Sequence, residues 1–483
     1  MQELIDRIRS WEAKSQVLEP NQDLRNKELA SVSNYANVFL NALPQTKTFE
    51  FSEEMSDRFQ ITGQPHSIEQ ILDIYKREIA DKGINAASGG HLGYIPGGGI
   101  FASALGDFLA DVTNEYAGIF YASPGAVAVE TALIDWIKTL FSYPSYAVGN
   151  LASGGSIANL IALAAARDKY QIKGEKVEKS VVYLSAQTHH CVTKALRIIG
   201  LEDVVLRTLP IDDHSRIQIE ALSGAIAKDR SLGLNPFLVI GSAGTTDTGA
   251  VDPLFEIGTI CKEENLWFHV DAAYGGFFIL AESVRHLFRG IELSDSLVVD
   301  PHKGLFLPYG IGAVLVKDRE AVFHSNRAGA DYMQDAYRED LPVNPSDLGP
   351  ELTKHFRGMR MWLPLQLYGT QPFAACLEEK LDLTRYIRLK LTDLGFSLGP
   401  EPDLSVTYFW MDRGDDSDRF NRHLLRLIHD DGSAYFSSTL IEGNFVIRSA
   451  ILSFRTRISS VDKAIDLISQ CLNKTKEHFE KGS

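Results

Sequence analysis

The sequence predicts an α/β protein: a mainly parallel central sheet with helices on both faces, a helical N-terminal extension and a small C-terminal α+β domain. Three observations carry this. Between about Asn150 and Val316, short β-branched runs alternate with helical segments. The runs are almost continuously apolar, as strands are when both faces of their sheet are covered. Beyond a helical stretch from Leu352 to about Leu394, the runs alternate apolar and polar residues, which suits a half-exposed sheet. On this basis we divide the chain into residues 1–90, a helical segment, 91–375, a large α/β domain, and 376–483, the small domain.

The elements follow in order. "MQELIDRIRSWEAKSQ" is charged throughout and sets Leu4, Ile5, Ile8 and Trp11 on one helical face. It reads as an amphipathic docking helix rather than a signal peptide. In "SIEQILDIYKREIADKG", Ser67 is an N-cap with Gln70 three residues on, and Gly83 is a stop. "SGGHLGYIPGGG" (Ser88–Gly99) is a glycine-rich loop. Six strands are predicted: Val181–Ser185, Val204–Leu209, Phe237–Ser242, Leu266–Val270, Ser296–Val299 and Gly312–Val316. Helical segments such as "DPLFEIGTICKEEN" separate several of them. "LSVTYFWM" and "NFVIRSAILSF" are the strands of the small domain, and "VDKAIDLISQCLNKTKEHF" is a closing amphipathic helix.

Composition narrows the function. A net charge of −15 argues against nucleic acid and anionic membranes as partners. Cys191, Cys261, Cys376 and Cys471 lie far apart, with no CxxC or Cys/His cluster, so no metal site is expected and a reducing compartment is. No apolar run approaches the ~18 residues of a membrane span. The expected location is the cytoplasm.

In such sheets ligands sit outside the carboxyl ends of the strands, and polar clusters fall there. Ser153-Gly154-Gly155-Ser156 opens a helix, where amides and a hydroxyl form an anion site. It lacks the lysine of a P-loop and the glycine spacing of a dinucleotide fold. His189 and His190 stand at a strand-to-helix junction, able to stack on a flat ligand or move protons. Thr245 and Thr246 follow a third strand, and Asp271, with Ala272 and Ala273 after it, a fourth. "VVDPHKGLFLP" (Val298–Pro308) ends a fifth strand in a lysine, Lys303. Taken singly, each has a plain structural reading: a cap, a packed ring, a turn, a hydrogen bond to a loop. Together they answer four needs: an imine with an aldehyde, a partner for a protonated pyridine, a cradle for phosphate and a ring to stack. Pyridoxal 5'-phosphate has all four. A lysine at a low-dielectric sheet end is expected to have a lowered pKa, hence nucleophilic strength.

The segments "HVDAAYGG", "DPHKG" and "QTHHCVTKA", with "SPGAVAVETALIDWI" upstream and "FRGMRMWLPLQLYG" downstream, carry a resemblance. From about Gly90 to the C-terminal domain the chain resembles the group II pyridoxal-phosphate-dependent amino-acid decarboxylases of fold type I. These include the aromatic-L-amino-acid, tyrosine, histidine and glutamate decarboxylases. The resemblance implies that Lys303 bears the cofactor as an imine and that Asp271 pairs with the pyridinium nitrogen. It places His189 on one face of the ring and Ala273 on the other, Gly155, Ser156 and His302 at the phosphate, and Thr246 near the ring. It implies a homodimer with active sites at the subunit interface and an N-terminal segment that wraps the partner. Counting without a gap from Lys303 brings Tyr332 to the family's mobile-loop tyrosine, which protonates Cα after carbon dioxide has left; Tyr337 and His189 are the next candidates. Tyr94, Ile95 and Pro96 match the substrate loop.

The chain departs from the family pattern at Gly304, where most relatives carry a bulky side chain, and at Gly93, Ile95 and Gly97 in the substrate loop. Both changes suggest a wider or reshaped pocket. An aromatic L-amino acid is the favoured substrate, because Tyr94 and Pro96 are retained and no obvious basic cluster meets a second carboxylate. Arg448 and Arg455 in the small domain keep an acidic substrate open, although a surface or interdomain salt bridge is the simpler reading of each. Aldehyde synthesis or transamination on the same cofactor is the alternative activity. A cofactor-binding regulator would need an appended DNA-binding module, and no helix-turn-helix segment or basic arm is present.

Overall fold

The computed structural model describes residues 1–53, 56–327 and 342–481. Its centre is a seven-stranded sheet: β1 (Val148–Ala152), β2 (Ser180–Ser185), β3 (Val205–Leu209), β4 (Asn235–Ser242), β5 (Trp267–Asp271), β6 (Ser296–Val299) and β7 (Gly312–Val316). The order across the sheet is β1-β7-β6-β5-β4-β2-β3. Neighbours from β6 to β3 pair in parallel. β7 is antiparallel to both β6 and β1. Six strands therefore run one way, and their carboxyl ends share one edge. Only β7 is reversed, since an antiparallel partner can follow β6 through a short connection without a crossover helix. That connection holds Lys303.

β2, β5, β6 and β7 are buried along their whole length, which explains their continuous apolar sequence. β1 escapes the sequence reading because Asn150 sits in its middle, and asparagine is a poor strand former. Tertiary contacts outweigh that preference. The Asn150 amide donates to Pro345 O at 3.0 Å, and its oxygen accepts from buried Lys354, which also pairs with buried Glu130 at 2.6 Å.

The C-terminal part forms a separate antiparallel sheet from Ser397–Leu398, Val406–Trp410, Asn444–Ala450 and Ser437–Ile441, in that order. Helices Gln371–Asp393, Ser417–Asp431 and Ile458–Lys481 pack on it through Leu391, Phe409, Phe420, Leu424, Phe436 and Ile468. Arg448 and Arg455 tie this unit to the glycine-rich loop. Arg448 donates to Tyr94 O, Thr246 O and Asp247 O, and Arg455 to Ala87 O, Gly98 O and Gly99 O. Neither makes a salt bridge among the described residues; both donate to carbonyl oxygens instead.

The first eighty residues are largely helical. The capping box at Ser67 forms: its Oγ accepts from Gln70 N–H and its own N–H donates to Gln70 Oε1. Helices Gln2–Ser15 and Gln22–Ala42 bury no side chain among the described residues. Trp11 is 59% exposed, and Leu4 and Ile8 are exposed beside it. No helix among the described residues is long and apolar enough to cross a membrane.

Candidate active site

Five strand ends converge on one cavity of about 250 Å³. β1 leads into Ser153–Ser156, β2 into Gln187 and His189, β4 into Gly244–Thr246, β5 into Asp271 and Ala273, and β6 into Asp300, His302 and Lys303, all of which line it. Residues spread over 150 positions meet because parallel strands deliver their next residues to the same edge.

Helix Gly155–Lys169 starts at the cavity wall. The amides of Gly155 and Ser156 belong to its first turn and have no carbonyl one turn earlier in the helix. Close approach dictates the glycine at 155: a Cβ there would meet Asp300 Oδ2 at 2.8 Å and Ala273 Cβ at 3.2 Å. Asp271, in the same lining, is buried. Its Oδ1 accepts from Ala273 N–H at 3.1 Å and its Oδ2 from the Asn159 amide at 3.3 Å. His189 Nδ1 accepts from Cys191 N–H, so its remaining proton sits on Nε2. Burial holds the His189 pKa below the ordinary histidine value, with Asp271 opposing, so the ring is neutral at pH 7. His190 is exposed and stays outside the lining. Thr245 and Thr246 both line the cavity, and the Thr245 hydroxyl is already engaged, bonding Thr248 Oγ1 and accepting from Ala250 N–H.

Lys303 corrects the sequence reading of its pKa. Burial alone would lower it, but Asp300 Oδ2 lies 3.0 Å from Nζ, and that carboxylate, with Asp271, raises the pKa instead. A paired ammonium is stabilised; only an unpaired one is depressed by burial. His302 Nδ1–H donates to Ile311 O at 2.5 Å, while Nε2 stands 3.7 Å from Asp300 Oδ2. The other Asp300 oxygen, Oδ1, is buried with no hydrogen-bond partner among the described residues. Cys191 also lines the cavity, and burial pushes its thiol up to about 12, so it is a packed thiol and no nucleophile.

Three expectations fall outside this picture. Tyr332, and Tyr337 with it, lie outside the described residues. Tyr94, Ile95 and Pro96 do not line the cavity within one chain, and Tyr94 is 57% exposed. Gly304 does not widen the pocket: a Cβ there would strike Phe277 Cβ at 2.7 Å, and the Phe277 ring, stacked on Trp136, fills that space. At Gly93 the Tyr435 ring likewise occupies the room, 2.6 Å from where a Cβ would stand. Asp300, Asn159 and the residues behind Asn159 were not singled out from sequence. Asp300 stood in the quoted motif, and its signal is a second carboxylate three residues before the lysine.

The lining fits pyridoxal phosphate. A helix start suits its phosphate, a buried carboxylate its ring nitrogen, and a lysine its aldehyde, while the unpartnered Asp300 Oδ1 marks polar capacity at the same wall. Among the described residues no cluster of His, Cys, Asp or Glu is placed to hold a metal ion.

Comparison with known proteins agrees. Residues 52–412 match the pyridoxal-dependent decarboxylase conserved domain. The chain is 33% identical over 373 residues to an aromatic-L-amino-acid decarboxylase of Bacillus atrophaeus, covering 76% of this chain and 77% of the relative. It is 32% identical to tyrosine decarboxylase 2 of Narcissus pseudonarcissus, over 80% and 81% of the two chains. It is 28% identical to the phenylacetaldehyde synthase of Arabidopsis thaliana, over 84% and 86%. A crystal structure of Oryza sativa TDC, solved with PLP and tryptamine, superposes with a TM-score of 0.89 over 94% of this chain and 99% of that one, at 22% identity, which speaks to fold alone. The chain belongs to the pyridoxal-dependent decarboxylase family, and it is a pyridoxal-phosphate-dependent amino-acid decarboxylase.

Proposed function

We propose that this decarboxylase acts on an aromatic L-amino acid and releases the amine and carbon dioxide. The observation that carries the substrate class is the fate of Arg448 and Arg455. These are the two cations considered for a second substrate carboxylate, and both are bonded to backbone carbonyls. Two relatives above 30% identity, named as aromatic-L-amino-acid and tyrosine decarboxylases, point the same way.

Pyridoxal phosphate, when bound, would supply an electron-withdrawing ring conjugated with the substrate's Cα through its amino nitrogen, which lets the carboxylate depart. Lys303 offers the ε-amine for the aldehyde, and Asp300, 3.0 Å away, holds and returns its proton. Asp271 accepts the ring N–H. The Gly155 and Ser156 amides and His302 hold the phosphate. Since His302 Nδ1–H already serves Ile311 O, donation from Nε2 requires a second proton on the ring, so anion and proton bind together. Neutral His189, Ala273 and Thr246 line the same cavity and would contact the cofactor's ring.

Tyr332 is the proposed proton donor to Cα. A phenol supplies that proton inside a closed site, whereas a benzyl ring leaves the carbanion open to oxygen. The second reading, aldehyde synthesis, is favoured by the likeness to phenylacetaldehyde synthase. We further propose a homodimer. Leu4, Ile8 and Trp11, and the exposed Phe101, Phe108 and Val112 of helix Phe101–Thr113, would be covered by the second copy. Tyr94, Ile95 and Pro96 would complete the substrate site there. The three units at 1–90, 91–375 and 376–483 and a cytoplasmic location belong to the same proposal.

The deciding experiment incubates the loaded enzyme with aromatic and acidic amino acids and measures carbon dioxide, amine, aldehyde and oxygen uptake. Carbon dioxide from glutamate but not from tyrosine, tryptophan or phenylalanine would overturn the substrate class. Tyr332→Phe should keep cofactor and substrate binding, lose most amine and gain aldehyde with oxygen consumption. Unchanged amine output would remove Tyr332 as donor.

A further inference from the structure

Behind Asp271 lies a row of four buried polar side chains that the mechanism above does not use. The Trp267 indole Nε1–H donates to Ser296 Oγ at 2.8 Å. Ser296 Oγ is 2.8 Å from His269 Nδ1, and His269 Nε2 is 2.7 Å from Asn159 Oδ1. The Asn159 amide nitrogen reaches Gly155 O at 2.9 Å, Asp271 Oδ2 at 3.3 Å and Cys191 Sγ at 3.5 Å. Trp267, Ser296, His269 and Asn159 are all buried.

The two ends of this row dictate its direction. An indole N–H can only donate, and an ionised carboxylate can only accept. Asn159 faces two acceptors, the Gly155 carbonyl and the Asp271 carboxylate, so its NH₂ must point to them and its oxygen to His269. His269 must then carry its proton on Nε2, which leaves Nδ1 to accept from the Ser296 hydroxyl. Ser296 in turn accepts from Trp267. Every link has one donor and one acceptor, and all run towards Asp271. Chains of this kind polarise along their length in a low-dielectric interior. Burial also holds His269 down at about 4, so the ring stays neutral and keeps the tautomer the chain demands.

We infer that Trp267, Ser296, His269 and Asn159 form a one-way hydrogen-bond relay that orients and polarises Asp271 towards the cofactor's ring nitrogen. Asn159 has a second effect. Its other N–H fixes Gly155 O, so one amide ties the helix start proposed to hold the phosphate to the Asp271 carboxylate. These are positioning residues, since among the reacting groups they touch Asp271 alone. The inference rests on Asp271 being the partner of the ring nitrogen.

The test uses the full-length protein loaded with cofactor labelled with ¹⁵N in the ring. The nitrogen's chemical shift reports its protonation directly, and the pH dependence of the cofactor's absorbance provides a second readout. The ionisable groups around Asp271 are Lys303, Asp300, His189, Cys191 and His269, so the profile is compared among variants that leave the others in place. Ser296→Ala and Trp267→Phe should move the nitrogen signal towards the unprotonated position and lower kcat about threefold to tenfold with KM little changed, the scale of a weakened hydrogen bond to a charged group. Ser296→Thr, which keeps the hydroxyl, should restore both. A lowered melting temperature with unmoved signal and pH profile in Ser296→Ala and Trp267→Phe, while Asp271→Asn shifts both, would overturn the relay and leave Asp271's role intact. If Asp271→Asn moves neither, the reading of Asp271 falls and the relay with it.

Discussion

Asp271 and Asp300 follow neighbouring strands, β5 and β6, and both face Lys303, yet the chain surrounds them differently. Asp271 receives a hydrogen bond on each oxygen, one from backbone and one from Asn159. Asp300 has one oxygen on Lys303 and one with no partner among the described residues. A buried carboxylate held by neutral donors keeps its place whatever the neighbouring lysine does. One held by that lysine changes its surroundings each time the lysine gives up its proton. The difference separates two duties within one cavity. Asp271 is suited to a constant partner, Asp300 to a proton that comes and goes.

The first way to break this comparison is Asp271→Asn. The amide preserves shape but cannot hold the ring's proton, and removing one member of a buried charge pair costs about 3–5 kcal/mol. We expect turnover to fall by a hundredfold or more while the cofactor stays bound. Steady-state kinetics beside cofactor absorbance after dialysis would check this. Near-normal turnover would make the Asp271 network a purely structural device.

Asp300→Asn sharpens the other side. Asp300 is the largest influence holding the Lys303 pKa up. Removing its charge should lower that pKa, so the neutral amine becomes available at lower pH. Cofactor uptake near pH 7, followed by absorbance, should become several-fold faster, and its pH midpoint should move down. Pyridoxal, which lacks the phosphate, is the control. A gain confined to the phosphorylated compound would mean that Asp300 repels the phosphate rather than guards the lysine.

The same contrast explains how much could be read from the sequence. Asp271, Ala273, His302 and Lys303 were legible because each stands within a few residues of the end of an apolar run, and a strand end fixes where the next residues go. The helix start at Gly155 was legible from Ser-Gly-Gly-Ser before an alanine-rich segment. Asn159 and His269 were not, since a single polar residue inside an apolar run carries no sign of its partner. His269 meets Asn159 across 110 positions of chain. The reversal of the Lys303 shift, the filling of Gly304 by Phe277 and that of Gly93 by Tyr435 share this cause: each depends on a neighbour that only folding supplies.

The last expected effect is on stability and leaves turnover alone: it concerns His91, which carries the contrast between satisfied and unsatisfied groups beyond the cavity. His91 and His269 are both buried, and burial brings both down to about 4. His269 uses both ring nitrogens in the relay, whereas neither nitrogen of His91 has a hydrogen-bond partner among the described residues. Its ring rests edge-on against Tyr435 at 5.8 Å, an apolar contact that phenylalanine could make equally well. The pH dependence has a definite sign. The unfolded chain protonates histidine below about pH 6.5, while the folded chain keeps His91 neutral down to about 4. Stability therefore falls as pH drops through that window. At about 1.4 kcal/mol per pH unit, His91 accounts for a loss of about 3 kcal/mol by its lower end. His91→Phe should leave the melting temperature at pH 7 unchanged or slightly raised, because an unsatisfied buried group is replaced by an apolar one of similar shape. It should also flatten the decline between pH 6.5 and 4, to an extent that His269, still present, does not mask. Melting temperatures of the two proteins measured across that range decide it: parallel curves would mean that His91 gains a hydrogen-bond partner in the assembled enzyme.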